Sequence, residues 1–429
     1  MKPIDPQEWK QDLPAFREKT AAFYKGELKK NDYKGFSGLY GSYAQKDGKA
    51  SMLRLRMTAG VVSREKVCFI AKMIREYQVK RMHFTTCQSI QLHDLNETAV
   101  CEIMEKALDA GIVTMGGGGD FPRNIMCSPL AGVEKGEYFN VQPYAKAAGD
   151  YLMHFIKAEK MPRKLKVGFS SSPANLTHAT YRDLGFAARE DGKFDVYSAG
   201  GLGNNPRFGV KVAEAVEPDD ILFYIRAMWL TFRTYGNYEN RGKARTRYMQ
   251  ESLGSPEKYK EAFQEKLKEV CASGEDLKLK DLKEASTENS RKTGDETVFT
   301  GSNAIEQKQE GLYALAWHPI GGMPDPAVFC ELADAMEEIE GVELRLAPYE
   351  TAYIINLTGA EAERLNTIIQ KDMAQSLFET SVSCIGASVC QVGLRDSQGL
   401  LRACVERVKE AGLPDGTLPQ IHISGCPSS

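Results

Sequence analysis

Residues 51–108 read SMLRLRMTAGVVSREKVCFIAKMIREYQVKRMHFTTCQSIQLHDLNETAVCEIMEKAL, and residues 311–369 read GLYALAWHPIGGMPDPAVFCELADAMEEIEGVELRLAPYETAYIINLTGAEAERLNTII. Each stretch opens with a short alternating strand that breaks at glycine, Gly60 in the first and Gly321–Gly322 in the second. A helix-period segment follows, with Val67, Ile70, Ala71 and Ile74 on its apolar face in one copy and Phe329, Leu332, Ala333 and Met336 in the other. A second alternating strand, a polar break and a second amphipathic helix complete both. Similarity at this spacing predicts two α/β half-units related by a pseudo-twofold axis. Two unrelated βαβα units would share part of the same pattern.

Between the copies lie further strand and helix signals. EPDDILFYIRAMWLTFRTYG (217–236) reads as a helix with acidic residues at its start and Gly236 at its end, its apolar face being Ile221, Ile225, Met228, Trp229 and Phe232. The segment from Gly254 to Asn303 begins as a charged helix and passes into STENSRKTGDET (286–297), a solvated linker. A third region begins near Ala374 and carries a group of cysteines.

The totals bound the class. The chain has 429 residues, 42% hydrophobic and 26% charged, with a net charge of −3, which describes a folded globular protein with no global bias toward nucleic acid. The most apolar run, ILFYIRAMWL (221–230), is short and holds Arg226, so no membrane span is expected. The N-terminus, MKPIDPQEWKQD, has no apolar core of a signal peptide, and ten cysteines without such a signal predict reduced thiols in a cytoplasmic protein.

Positive charge is placed in pairs. In MLRLRM (52–57), Arg54 and Arg56 are two apart and share one face of a strand, with Leu53, Leu55 and Met57 on the other. PRKLKVGF (162–169) repeats the arrangement with Lys164 and Lys166 opposite Leu165, Val167 and Phe169. NRGKARTR (240–247) adds Arg241, Lys243, Arg245 and Arg247, with Arg241 and Arg245 on one helical face. GGGGDFPRN (116–124) sets Arg123 behind a glycine run whose N–H groups could also meet an anion. Any one pair reads equally as the solvent side of a half-exposed strand. The second copy, however, has LYALAWHP (312–319), with Ala, Leu and Trp in place of the arginines. Cations serving only solubility would have no reason to be confined to one copy.

Cys384 and Cys390 in SCIGASVC, and Cys426 in the Gly-Cys-Pro turn of HISGCPSS, complete the inventory. A five-residue gap is too wide for a usual zinc knuckle, whereas thiolates in a loop of glycine and small residues suit an iron–sulfur cluster.

From about residue 36 onward, the chain resembles the sirohaem-containing nitrite and sulfite reductase family. The motifs are LRLRMTAGVV (53–62), FPRNIMCSP (121–129), MPRKLK (161–166), AGGLGNNPRFG (199–209), YGNYENRGKARTRYM (235–249), Cys384-x5-Cys390 and Gly425-Cys426-Pro427, in family order. The resemblance implies an α/β (α+β) fold with a pseudo-twofold repeat of two ferredoxin-like half-units plus mixed α/β lobes for sirohaem and a 4Fe–4S cluster. The corresponding divisions are an arm at 1–35, a first half-repeat at 36–127, a first α/β domain and linker at 128–300, a second half-repeat at 301–372, and the start of a second α/β domain at 373–429.

The resemblance also implies roles. Cys384, Cys390 and Cys426 would ligate the cluster; Arg54, Arg123, Lys164 and Lys166 would line the pocket where the anion meets sirohaem iron. Arg56, Arg81, Gly201, Arg207, Arg241, Lys243 and Arg245 would meet the carboxylates of sirohaem. Such a site reduces sulfite to sulfide, or nitrite to ammonia, by six electrons. Cations offset the oxyanion's charge, arginine holding it while a desolvated lysine gives up a proton. Relatives acting on sulfite tend to have lysine at the position of Lys166, and plant-type nitrite reductases asparagine, so sulfite leads. A non-catalytic iron–sulfur relative is the reading from a different class. GGLGNNPRFG (200–209) lacks the context of a Rossmann fingerprint, so electrons are expected from a separate partner, such as a ferredoxin or a reductase subunit.

Two departures from the family stand out. Cys87 occupies the place of an arginine in the family's Thr-x-Arg-Gln sequence; a buried small residue is as good a reading as a thiol near the cofactor. Cys68, Cys101, Cys271, Cys330 and Cys404 fall in helix-like segments and read as core or surface thiols. The family's fourth cysteine, which bridges cluster and sirohaem, would fall one position after Ser429. A fragment, a frameshift or a recoded UGA giving selenocysteine would each account for that ending, and the 429 residues would lack one ligand.

Overall fold

The computed structural model describes residues 3–158, 160–280, 282 and 292–426, so residues 286–291 of the predicted linker lie outside it. The chain divides into two units, one of Met1–Asp5, Thr58–Gly60 and Met115–Asn289, the other of Pro6–Met57, Val61–Thr114 and Ser290–Ser429.

The first copy of the repeat contributes β1 (Ser42–Ala44), β2 (Ser51–Arg56), β3 (Val61–Ser63), β4 (Arg81–Phe84) and β5 (Ser89–Leu95). Four of these form an antiparallel sheet in the order β1-β2-β5-β4. Leu53, Leu55 and Met57 are fully buried, as the alternation predicts, while Arg56 on the opposite face is also buried, at 6% exposure. Both faces of β2 are therefore covered. The helix Arg64–Glu76 buries Val67, Ile70, Ala71 and Ile74, the predicted face. The helix Glu97–Asp109 starts at Asn96, whose side chain accepts from the N–H of Ala99.

The intervening unit is built on β6 (Met126–Cys127), β7 (Val167–Ser170), β8 (Leu184–Ala188), β9 (Phe194–Ser198) and β10 (Val210–Val216), ordered β10-β9-β8-β7-β6. The β6–β7–β8 part is parallel and the β8–β9–β10 part antiparallel. Phe169 and Phe186 stack at 4.6 Å over this sheet, with Phe194 edge-on to both. The helix Ile221–Tyr235 buries Ile221, Ile225, Met228, Trp229 and Phe232. The helix Pro256–Ala272 is capped by Ser255.

The second copy repeats the first strand for strand: β11 (Ala304–Glu306), β12 (Tyr313–Trp317), β13 (Glu343–Leu346) and β14 (Ala352–Leu357) are ordered β11-β12-β14-β13. Left-handed backbone conformations recur 262 positions apart (59 and 321, 60 and 322, 88 and 350, 94 and 356). The partner of Arg54 across β5 is Gln91, and that of Ala316 across β14 is Tyr353, at the same offset. This register corrects one detail: Arg54 is matched by Ala316, but Arg56 is matched by His318. His318 is 6% exposed, and burial pushes its pKa down to about 4.

The copies also exchange structure. β3 leaves its own sheet and pairs with β13, setting Ser63 against Glu343, Val62 against Leu344 and Val61 against Arg345, so the second sheet gains a fifth strand. The same offset places Pro324 in the reciprocal segment, and a proline has no N–H to give a ladder. The helices Arg64–Glu76 and Pro326–Glu337 pack together, with Arg75 donating to the carbonyl of Cys330 at 3.2 Å. Two short strands, β15 (Val382–Ser383) and β16 (His422–Ile423), pair in parallel.

Gly322 has a φ of 67°, and a Cβ there would lie 2.7 Å from Glu350 Cβ and 3.0 Å from the carbonyl oxygen of Phe84. Gly322→Ala is therefore expected to cost about 1–3 kcal/mol, measured as a lower denaturant midpoint at unchanged slope.

Candidate functional site

The cysteine loop is assembled by the β15–β16 pair. Beyond Ser383↔Ile423 the N–H of Cys384 donates to the carbonyl of Ile423 at 3.1 Å, and the N–H of Gly425 donates to Cys384 Sγ at 3.2 Å. Cys426 is thus brought beside Cys384 across forty residues of chain. Between them the chain folds back: Cys390 N–H donates to the carbonyl of Gly386 at 2.8 Å, and the N–H groups of Leu394 and Arg395 share the carbonyl of Gly425. Gly386, at φ 72°, leaves no room for a side chain, since a Cβ would sit 2.7 Å from Ser397 Oγ. That is why the loop reads Cys-Ile-Gly-Ala. Helix Ser397–Glu410, capped by Asp396, supplies Ser397, whose hydroxyl donates to the carbonyl of Cys384 at 2.7 Å.

Cys384, Cys390 and Cys426 are all half-buried and reduced. Among the described residues, no three Cys, His, Asp or Glu side chains close on a single ion. Separate thiols around a loop of small residues with a backbone N–H already aimed at one sulfur suit a cluster, in which each corner iron takes its own thiolate. The residues fit the group.

The loop is tied to both copies of the repeat. Lys46 N–H donates to the carbonyl of Val389 at 2.9 Å, and Lys46 Nζ to that of Gly393 at 3.1 Å. Gln398 Nε2 bridges the carbonyls of Gly321 and Ser383, both at 2.9 Å. Glu350, 1% exposed, accepts from the N–H of Ser383 at 3.2 Å and lies 3.4 Å from Nε2 of the buried His83. Burial pushes the Glu350 carboxyl up, while the His83 ring and the Ser383 N–H oppose that rise. Gln91 occupies the next position. Arginine only donates, so the Gln91 amide turns its oxygen to Arg54 Nη2 at 2.5 Å and its nitrogen to His83 Nδ1 at 3.2 Å and His93 Nε2 at 3.3 Å. His93 is fully enclosed, and burial, helped by His83, Arg81 and Arg54, holds its pKa far below the usual value. Arg81 faces Asp94 at 3.5 Å. Cys87 is half-buried in the turn before Gln88, its N–H donating to Thr85 Oγ1 at 3.3 Å.

In the other unit, the predicted cations gather at one sheet end. Pro122 and Leu165 form a parallel bridge, and the N–H of Arg123 donates to the carbonyl of Leu165 at 2.8 Å. The bridge puts Arg123 opposite Lys166, so it shares the face that carries Lys164 and Lys166, opposite the buried Leu165. The glycine run wraps Arg123 through carbonyls, not N–H groups: the guanidinium donates to those of Gly117 and Gly119. Asp183, fully buried, anchors the assembly. Its carboxylate accepts from the N–H of Lys166 at 2.8 Å, from Arg245 Nη2 at 2.9 Å and from the Thr246 hydroxyl.

The segment 240–247 differs from expectation. It forms two short 3-10 turns, Arg241–Lys243 and Thr246–Tyr248, because Asn240 caps Gly242 and closes a turn before a helix can propagate. Arg241 and Arg245 therefore share no helical face: the first reaches Asp120 at 2.7 Å and the second Asp183. Gly201 and Arg207 form an antiparallel bridge, and Arg207 and Lys243 both approach Glu251, at 4.0 and 3.8 Å. A wall of guanidinium and ammonium groups, several held by carboxylates they could exchange, fits a macrocycle bearing many carboxylates.

Asp183, Glu350, His83 and Gln91 were not singled out in the sequence. The available signal was a lone acid opening an apolar strand (Asp183) and an acid in the turn equivalent to Gln88 (Glu350).

Comparison with known proteins agrees with this architecture. The nitrite/sulfite reductase ferredoxin-like half domain matches residues 43–110, and the nitrite and sulphite reductase 4Fe–4S domain matches residues 118–270. The second match covers Cys127 but none of Cys384, Cys390 and Cys426. Similar curated proteins include the sulfite reductase (ferredoxin) 1 of Mycolicibacterium paratuberculosis, 22% identical over 89% of this chain and 68% of the relative. The assimilatory ferredoxin-dependent nitrite reductase of Haloferax mediterranei is 24% identical over 98% of this chain and 77% of its own length. Among solved structures, the Mycobacterium tuberculosis NirA protein shares the fold with a TM-score of 0.77, at 21% identity, over 100% of this chain and 82% of that one. The chain belongs to the sirohaem-dependent nitrite and sulfite reductase family, oxidoreductases that carry sirohaem and a 4Fe–4S cluster. Among the described residues no helix is long and apolar enough to cross a membrane.

The buried Asp183–Arg245 pair and the exposed Arg241–Asp120 pair should respond differently to truncation. Asp183→Ala is expected to cost about 3–5 kcal/mol, because it strands a part-buried guanidinium and a strand N–H. Arg241→Ala, whose side chain is 64% exposed, should cost no more than about 1 kcal/mol. Chemical denaturation of the two variants measures both.

Proposed function

We propose that the protein reduces sulfite to sulfide, taking six electrons from a separate donor protein and releasing the oxygens as water. The observation that supports this reading is Arg123 paired opposite Lys166, on the sheet face that also carries Lys164. When bound, the sirohaem and cluster pair supplies the iron that takes the anion and the electrons that reduce it.

The chain's own residues do the rest. Arg54 and Arg123 hold the oxyanion through charge-assisted hydrogen bonds, and neither can surrender its proton. Lys164 and Lys166 deliver protons to the departing oxygens, since an ammonium can transfer one and be refilled from solvent. Asp183, by fixing the backbone N–H of Lys166, holds that lysine's strand in place. Cys384, Cys390 and Cys426 are assigned to the cluster. Arg56, Arg81, Gly201, Arg207, Arg241, Lys243 and Arg245 are assigned to the carboxylates of sirohaem, where those side chains now facing Asp120, Asp94 or Glu251 exchange one carboxylate for another.

Lysine at 166, the residue that sulfite-reducing relatives tend to carry where plant-type nitrite reductases carry asparagine, favours sulfite over nitrite. A ferredoxin or a reductase subunit is the electron donor of choice; curated relatives named for ferredoxin and for NADPH support a separate source of electrons.

Lys166→Asn is expected to lower sulfide production roughly 10²-fold while the visible spectrum of the holoprotein is unchanged. Sulfide and ammonia are measured side by side with reduced methyl viologen as donor. Equal sulfide rates in wild type and variant, or ammonia from nitrite as the only product, would count against the assignment.

A further inference from the structure

A chain of buried polar groups runs through the second unit, from Arg54 to Gln91, His83, Glu350 and the N–H of Ser383, one residue before Cys384. Each link has only one workable direction. Arg54 is a donor and cannot be otherwise, so the oxygen of Gln91 must face it, at 2.5 Å from Nη2 and 3.2 Å from Nε. The Gln91 nitrogen then faces His83 Nδ1 at 3.2 Å, which makes that nitrogen an acceptor and leaves the ring's proton on Nε2. Nε2 is buried, has no hydrogen bond of ordinary geometry, and has Glu350 Oε1 at 3.4 Å. The other Glu350 oxygen receives the Ser383 N–H at 3.2 Å. Both carboxylate oxygens therefore meet donors, one from each end.

The backbone adds a second observation. Glu350 holds φ at 64°, a conformation that costs a side-chain-bearing residue energy, and its equivalent Gln88 holds φ at 53°. The two turns reach in opposite directions: Gln88 Nε2 donates to the carbonyl of Leu346 in the second copy, and Glu350 meets His83 in the first. A strained turn is kept in both copies, and in one of them it delivers a carboxylate into the core.

We propose that Glu350 is a positioning residue: it terminates a one-way chain of polar contacts that fixes the His83 tautomer, the Gln91 amide and the guanidinium of Arg54, and the same carboxylate clamps the root of the cysteine loop. The inference about Arg54 as an anion holder rests on the proposed function; the tautomer of His83 does not.

Replacing Glu350 with glutamine keeps the shape but puts an NH2 group where an acceptor stood. Either that amide faces the Nε2 proton, donor against donor, and the ring shifts its proton to Nδ1, where it meets the Gln91 nitrogen, or it faces the Ser383 N–H and the clamp on the cysteine loop is lost. In the first case the conflict passes to Arg54.

Long-range proton–nitrogen NMR of the imidazole side chains, with 15N-histidine in the full chain and His83→Gln to assign the signal, reads the tautomer directly. The expected wild-type state is a neutral ring protonated on Nε2. In Glu350→Gln a shift of the proton to Nδ1 is expected, together with a rise of about tenfold in the KM for sulfite or nitrite and a smaller change in kcat. A wild-type ring protonated on Nδ1 or on both nitrogens overturns the proposal, as does a Glu350→Gln variant that keeps the Nε2 proton in place with the backbone amide signal of Ser383 unshifted. The wild-type measurement needs no substitution, so a variant that fails to fold leaves the test intact. Absence of sulfite and nitrite turnover in wild type would remove the functional reading and leave the tautomer result standing.

Discussion

The second unit depends on one act of strand exchange. β3 follows the first strand pair of its own copy but pairs with β13 of the other copy, along Ser63–Glu343, Val62–Leu344 and Val61–Arg345. Had β3 stayed with its own sheet, β13 would be an open edge with unpaired N–H and C=O groups. Pairing across the copies satisfies that edge and fixes the helices Arg64–Glu76 and Pro326–Glu337 against each other. It also sets the β4–β5 turn beside the β13–β14 turn, which is what lets Gln88 reach Leu346 and Glu350 reach His83. The cysteine loop is hung from the same place, through Ser383 and Gln398.

Within that shared frame the two copies have parted chemically. The strand that carries Arg54 and Arg56 in one carries Ala316 and His318 in the other, at identical register. Burial keeps His318 neutral across the physiological range, so the second copy presents no charge there. The exchange of strands is also one-sided, because Pro324 stands where a reciprocal β3 would have to donate. One copy carries the charged face, and the other supplies the carboxylate that reaches into it.

Much of this was legible in the sequence, for identifiable reasons. Period-two and period-3.6 patterns located the strands and helices of both copies, and the apolar face of Ile221–Tyr235 was read residue for residue. The pairing of Lys164 with Lys166 opposite Leu165 followed from alternation alone. What alternation could not give was the second covering of β2, which buries Arg56, since burial of the charged face depends on a distant segment. The 240–247 stretch misled because Arg241 and Arg245, four apart, look like one face of a helix, while Asn240 and Gly242 impose turns. Asp183 and Glu350 were missed for a common reason. Each is a single acid whose importance comes from donors 17 to 63 residues away in one case and from His83, far off in sequence, in the other.

The central proposal is that a loop held by two short parallel strands and a buried glutamate presents Cys384, Cys390 and Cys426 to an iron–sulfur cluster. Iron and acid-labile sulfide, measured on protein purified without oxygen, test this most directly when wild type is set beside Cys384→Ser. The account predicts bound iron and acid-labile sulfide in wild type, and loss of the labile sulfide in the variant. A full complement of labile sulfide in Cys384→Ser would contradict it.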